Sequence, residues 1–409
     1  MRAVFVNHMH PETPHVSAVR VAAFARALAT RGHHVILLSE TRTPDDPGTS
    51  IGELKRSVEE RDWNTPLFVA CRPSPDTALK RLHRGGWPWG LRQGVVAANF
   101  VLRSGVFGHW RRGAQPLIRA IVEDFRPDVV WGSLGNTDVW NIARDLAHRA
   151  DCPWVGDLKD NWERFVPFGL RRIQAARYRD AAAFTAFSDM HGLCVRQWLG
   201  AEARTVYSGF PLSWLEENDT PERKRAGFTI ALAGSLYDGA SVAVFAEGLR
   251  TWLRGRRSEA PVAIQYHGGD HGACRRLLGP VEALCTMRID PPIPVSDLRA
   301  VQRRADVNIH PYFAPTLFHH KTIELMAMGR PIIAVPGESE ECRNIARQVG
   351  ISFHPCGTPA EVATALQSVE ETAEPRVDFN VLARYSWDRQ AEVLESVLEN
   401  TLNRSPHVS

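Results

Sequence analysis

Long apolar runs are missing from this 409-residue chain. No stretch approaches the roughly 18–20 consecutive apolar residues of a membrane-spanning helix, so no span is expected. Cysteine is sparse and unpatterned. The seven cysteines are odd in number and form no C-x-x-C pair, which argues against a disulfide framework or a zinc site and suits a reducing compartment. The opening Met-Arg-Ala-Val-Phe-Val-Asn runs into a strand without the shape of a secretory leader, so a cytoplasmic location is expected. The net charge is only +3 and by itself selects no partner. A local absence is more informative: no acid lies between Asp76 and Glu123.

That acid-free stretch carries eight bases, Lys80, Arg81, Arg84, Arg92, Arg103, Arg111, Arg112 and Arg119. Trp87, Trp89, Phe100, Phe107 and Trp110 are interleaved with them. Cations mixed with indoles suit an anionic membrane surface. The same mix can stack on single-stranded nucleic acid, or the aromatics can be the core of a folded insert. The membrane and the insert are the favoured readings, and no nucleic-acid partner is expected.

What remains has ordinary globular composition, 44% hydrophobic and 23% charged, and a length that suits two domains. Strands and helices alternate twice. In the first half, strands are expected over residues 3–6, 35–38, 127–131, 153–156 and 204–207, with helices over 17–31 and near 177–187. Charged, apolar-poor residues 216–225 read as a linker. The rhythm restarts with strands over 229–233 and 262–266, and a helix reaching about residue 253. Such alternation implies an α/β fold of two parallel sheets with helices on both faces. Ligands are then expected at the carboxyl ends of the strands, in a cleft between the domains.

The richest segment is Thr316-Leu-Phe-His-His-Lys-Thr-Ile-Glu-Leu-Met-Ala-Met-Gly-Arg-Pro-Ile-Ile-Ala-Val-Pro336. It reads as a helix over residues 318–328, stopped by Gly329 and followed by a buried strand, 332–335. Residues 305–311 form another short strand just upstream. A strand, a loop and a helix N-terminus present backbone N–H groups to an anion. Lys321 and Glu324, one turn apart, share a face. The lysine can neutralise a phosphate while the glutamate accepts from sugar hydroxyls.

This segment resembles the donor-nucleotide motif of family 4 retaining glycosyltransferases, in the form Lys-x-x-Glu-x-Met-Ala-x-Gly-x-Pro-Ile-Ile-Ala. The layout also resembles the two-Rossmann-domain (GT-B) architecture of bacterial surface-polysaccharide enzymes, with the sheets facing across a cleft. The resemblance implies an acceptor-side domain at 1–215 with the basic insert at 80–119. A nucleotide-sugar domain follows at 216–384, and a helix at 385–409 crosses back to the first. It implies metal-independent hexosyl transfer from a nucleotide diphosphate sugar to a glycan, lipid-linked or small-molecule acceptor, with no cofactor. Donor contacts then fall on Gly234, Ser235, Thr316, Phe318, His319, His320, Lys321 and Glu324. Gly234-Ser235 follows a strand, so its backbone can approach a pyrophosphate.

Two departures stand out. Relatives often place an Arg and a Lys in the Gly234 loop, where this chain has Ser235, Tyr237 and Asp238. The broader family has Glu eight positions before Glu324, and here Thr316 occupies it. Asp157-Leu-Lys-Asp-Asn-Trp162 resembles the Asp-x-Arg-Asp-x-Trp stretch of sugar-polymer glycosyltransferases, which puts Asp160 where other relatives have a His facing the transferred sugar. With Lys321 it is a catalytic candidate. His15 and Arg20, in the stretch after the first strand, are expected on the acceptor side. The alternatives are a two-Rossmann UDP-sugar epimerase and a non-catalytic nucleotide- or sugar-binding subunit.

Overall fold

The computed structural model describes residues 1–74, 85, 87–106, 108–216, 227–236, 239–313, 316–372 and 376–404. Lys80, Arg81, Arg84 and Phe107 of the basic stretch lie outside these residues, as do Tyr237, Asp238 and most of the linker at 216–225.

The chain divides into two compact units, Met1–Ser208 with Trp387–Ser409, and Gly209–Ser386. The first holds seven strands: β1 Arg2–Val6, β2 His34–Glu40, β3 Leu67–Cys71, β4 Val129–Ser133, β5 Trp154–Leu158, β6 Ala183–Ala186 and β7 Ala203–Thr205. Their order is β3-β2-β1-β4-β5-β6-β7, and every pairing is parallel. The second holds β8 Phe228–Ala233, β9 Val262–His267, β10 Thr286–Asp290, β11 Val307–Pro311, β12 Ile332–Val335 and β13 Phe353–Pro355. Their order is β10-β9-β8-β11-β12-β13, again all parallel. The expectation of two parallel, doubly wound sheets therefore holds.

Parallel strands covered on both faces must be apolar throughout. In β1, Val4 and Val6 face one core while Ala3 and Phe5 face another. The second core packs helix Val16–Thr30 and the terminal helix Trp387–Arg404 onto the same sheet face. The Phe24 ring meets Trp387 edge-on at 5.4 Å and Trp131 at 6.1 Å. The second unit has its own core, built on Ile230, Leu232, Ile264 and Ile309.

One expected element is corrected. The alanine-rich stretch at 177–187 is not a helix: helix Arg171–Arg177 ends there, and 183–186 form β6. Alanine is a strong helix former in isolation, but pairing of β6 between β5 and β7 overrides that preference. Helix Pro359–Glu371 opens on a capping box, the Thr358 side chain accepting from Glu361 N while the Glu361 carboxylate accepts from Thr358 N. Among the described residues no helix is long and apolar enough to cross a membrane.

Candidate functional site

In each sheet the strand order reverses beside one central strand, at β1/β4 and at β8/β11. Crossover helices leave in opposite directions at such a point and open a crevice at the carboxyl ends of the strands.

In the second unit, β8 ends at Gly234, whose φ of +81° a side chain would strain. The Lys321 ammonium donates to the carbonyl of Ala233, and a Cβ added at Gly234 would lie 3.3 Å from that nitrogen. Tyr266, near the end of β9, braces the turn by donating its hydroxyl to Gly234 O at 2.8 Å. Asp270 accepts from Leu236 N at 2.9 Å. Gly268 is obligatory here, because a Cβ would come within 2.2 Å of the Tyr266 hydroxyl and 2.5 Å of Gly234 O.

Lys321 belongs to helix His320–Met326, which starts two residues later than the apolar spacing suggests. The preceding loop takes those residues for itself. Leu317 adopts φ +65°, an uncommon conformation for a branched side chain. The Phe318 N–H donates to Thr316 O at 2.8 Å, and the Thr316 hydroxyl donates to Phe313 O at 2.8 Å. Phe318 is buried. His319 is packed between the rings of His310 and Tyr312, and burial pushes its pKa down to about 4, helped by His310. Thr316, Phe318 and His319 thus hold the loop together. Lys321 lies beside Gly234 and interacts with Glu324, with His320 3.3 Å from the Glu324 carboxylate. Ser235 is exposed next to them.

Burial lowers the Lys321 pKa to about 8, and the negative charge of Glu324 works against that shift. Burial likewise raises Glu324 to about 8, opposed by Lys321. Glu324 keeps 33% of its side-chain surface open to solvent, which moderates the push. Behind the helix, His310 and Glu338 form a fully buried pair at 3.1 Å, with Thr322 bridging to both.

The first unit carries a second polar constellation. His8 follows β1 and lies on Gly135 after β4, so close that a Cβ on that glycine would fall 2.1 Å from the ring. His15 caps helix Val16–Thr30, its Nδ1 accepting from Ser17 N at 3.2 Å. After β5, Lys159 pairs with Asp160 at 2.9 Å. The lysine is almost buried, while Asp160 keeps 32% of its side-chain surface exposed. Burial drives His8 down to about 4, and Lys159 adds to the shift. His15 is lowered by the same two causes. Buried His191, on Ser188 Oγ at 2.8 Å, is pushed to about 3.

Arg20 is placed differently from His15, the other residue expected on the acceptor side. It is fully buried, 3.0 Å from Asp157 and 3.3 Å from Ser208 Oγ, with Phe24 and Phe187 rings 4.9 and 5.3 Å from its guanidinium carbon. Asp157 also accepts from Ser133 at 2.7 Å and Thr185 at 2.8 Å. Lys159, His191 and Tyr266 were not singled out from the sequence, whereas His8 belongs to the histidine-bearing loop at 8–15 that the sequence reads as acceptor-side lining rather than as a zinc site.

Among the described residues, only His33, Glu395 and Glu399 have side chains spaced for a metal, and Glu395 is taken by Arg31 at 2.7 Å.

This architecture is the GT-B fold, and solved structures align along 98–99% of the chain. A glycosyltransferase from Rickettsia africae superposes with a TM-score of 0.67 at 13% identity, covering 99% of both chains. The UDP-forming α,α-trehalose-phosphate synthase of Burkholderia xenovorans, crystallised with glucose-6-phosphate, gives 0.65 at 12%, covering 98% of this chain and 100% of that one. Anabaena Alr3699/HepE, in complex with UDP, gives 0.63 at 14%, again over 98% and 100%. No family model matches the sequence, and no curated protein matches it.

Proposed function

We propose that this chain is a metal-independent retaining glycosyltransferase of the family 4, surface-polysaccharide kind, acting in the cytoplasm. It takes a sugar from a nucleotide diphosphate donor held by the second unit and passes it to a glycan, lipid-linked or small-molecule acceptor. One observation carries the reading: the Lys321 ammonium sits beside Gly234 at the β8/β11 switch point. There a diphosphate can approach bare backbone and a half-buried cation together. A lysine depressed to about 8 by burial gains more from an anion than a solvated one does. The UDP bound to Anabaena HepE and the UDP-forming reaction named for the Burkholderia enzyme support the choice of donor.

In the proposed reaction the bond from the sugar's anomeric carbon to the diphosphate breaks, and the acceptor hydroxyl bonds to that carbon on the same face. The hydroxyl's proton goes to a departing phosphate oxygen. Lys321 stabilises the charge growing on the diphosphate, the loop ahead of its helix and Gly234-Ser235 assist, and Glu324 holds the ribose. In the first unit, imidazoles held neutral by burial beside the partly open Asp160 suit a hydroxyl-rich ligand better than an anion. Asp160 is the carboxylate assigned to the sugar, and His15 to the acceptor.

A thermal-shift panel of UDP, GDP, TDP, ADP and CMP tests the donor site, since a ligand bound only by the folded state raises the melting temperature. One diphosphate should stabilise the protein, and its sugar conjugates should then be turned over by transfer or hydrolysis. Epimerisation of the sugar would establish the epimerase instead. Binding without turnover would establish a non-catalytic subunit, and no shift from any nucleotide would remove the donor site.

A further inference from the structure

Helix Trp89–Arg103 leaves an apolar face uncovered. Leu91 is 58% exposed and Leu102 79%, on the side of the helix opposite buried Phe100, whereas Trp89, 79% exposed, only opens the first turn. The helix packs against the short turn Phe168–Leu170 and the helix Arg171–Arg177. Gln174 donates to Phe100 O, and Arg177 to Val101 O and Ser104 Oγ. These neighbours extend the face rather than covering it, for Phe168 is 83% exposed and Ile173 47%. Four large apolar side chains on three mutually braced elements are more than the scattered exposure of an ordinary surface.

Charge surrounds the face on one side of the balance only. Arg92, Arg103 and Arg172 are exposed on the same elements. The nearby acids are each neutralised: Asp145 by Arg111 at 2.7 Å, Glu163 by Arg171 at 3.0 Å, and Asp180 by Arg144 at 2.6 Å. Beside Leu102 and Arg103 opens a cavity of about 560 Å³ into which Arg112, His148 and Arg149 also face. It has room for a phosphate-bearing headgroup.

We infer that this face docks the protein on an anionic lipid bilayer. Leu91, Leu102, Phe168 and Ile173 enter the headgroup layer, while Arg92, Arg103 and Arg172 meet lipid phosphates. Charge complementarity selects this occupant. A second copy related by a two-fold axis would set the arginines against one another. Nucleic acid would leave Leu91, Leu102 and Ile173 without a stacking partner. The inference does not depend on the donor site, because it involves no nucleotide. Taken with that site, it would bring the enzyme to the surface where a lipid-linked acceptor is presented.

The test is sedimentation of the full chain with vesicles of phosphatidylcholine alone or mixed with phosphatidylglycerol. The wild type should pellet with the anionic vesicles at low salt, progressively less as salt screens the arginines, and stay in solution with neutral ones. Arg92→Glu with Arg103→Glu should lower the partition coefficient at least about thirtyfold, two bases each being a substantial part of the surface attraction. Leu102→Asp with Phe168→Asp should abolish pelleting at every salt concentration. All four positions are exposed, so the melting temperature should not move. Wild-type protein left in the supernatant with anionic vesicles would overturn the inference. So would equal pelleting with neutral vesicles, or either pair of substitutions having no effect. Binding of a single-stranded oligonucleotide without vesicle binding would also overturn it and make the face a polyanion site.

Discussion

In the proposed reaction Lys321 carries the charge that meets the diphosphate, and its neighbours define what can be measured there. Only the ammonium form attracts a diphosphate, and burial holds its pKa near 8. In the proposed site, the affinity of the stabilising nucleotide diphosphate should therefore fall as pH rises through about 8, whereas the matching nucleoside should not weaken over the same range, because the ionising Glu324 only improves as an acceptor for the ribose hydroxyls. Lys321→Met should weaken the diphosphate by about 1.5–3 kcal/mol, the range for hydrogen bonds to charged groups, and flatten the pH dependence. Glu324→Ala should weaken diphosphate and nucleoside alike, as expected of a ribose contact. Calorimetry across pH 6.5 to 9.5, a range of roughly one and a half units on either side of the shifted value, checks both. Equal losses of the two ligands on Lys321→Met would contradict a phosphate role. Thr316, which stands where the broader family has Glu, uses its hydroxyl to close its own loop on Phe313, a role that residue type alone did not disclose.

Elements impose a different use on Arg20. Its position in helix Val16–Thr30 turns it toward β5, where Asp157, Ser133, Thr185 and Ser208 consume its charge and that of its partner inside the sheet. Removing one member of a buried pair strands the other. Arg20→Leu should accordingly lower stability by about 3–5 kcal/mol in urea denaturation. The double change Arg20→Leu with Asp157→Asn should recover part of that loss, because no uncompensated charge remains. Full stability of Arg20→Leu together with lost acceptor affinity would return Arg20 to the ligand-binding surface. The same scale explains the residue 177–187 stretch. Its alanines satisfy helix propensity locally, yet the edge positions on either side of β6 are filled only when 183–186 extend.

At the scale of the whole molecule, two doubly wound sheets each place a polar constellation at a switch point. The proposed reaction assigns charge stabilisation to Lys321 rather than to a cation. Transfer should therefore persist in excess EDTA. Complete loss of activity restored by Mn²⁺ would sink the metal-free mechanism and reopen Asp157 and Asp160 as ligands. The prediction is sharpened by the Arg31 contact to Glu395, which occupies a carboxylate of the lone ligand-spaced group found among the described residues.

Alternation of short apolar runs with helical periods was enough to determine two parallel sheets, because strands buried on both faces and helices with one apolar stripe are written directly into local residue order. The Lys321–Glu324 spacing was legible for the same reason, being a property of a single helix. Strand order, and hence which loops share a switch point, was decided only by tertiary structure. Nothing in residues 1–10 states that His8 will lie on Gly135, or in 153–160 that Lys159 will be buried against Asp160. Burial likewise separated Arg20 from the solvent-facing arginines of 89–103, since sequence shows that a residue is charged but not which charges lie beside it once the chain has folded.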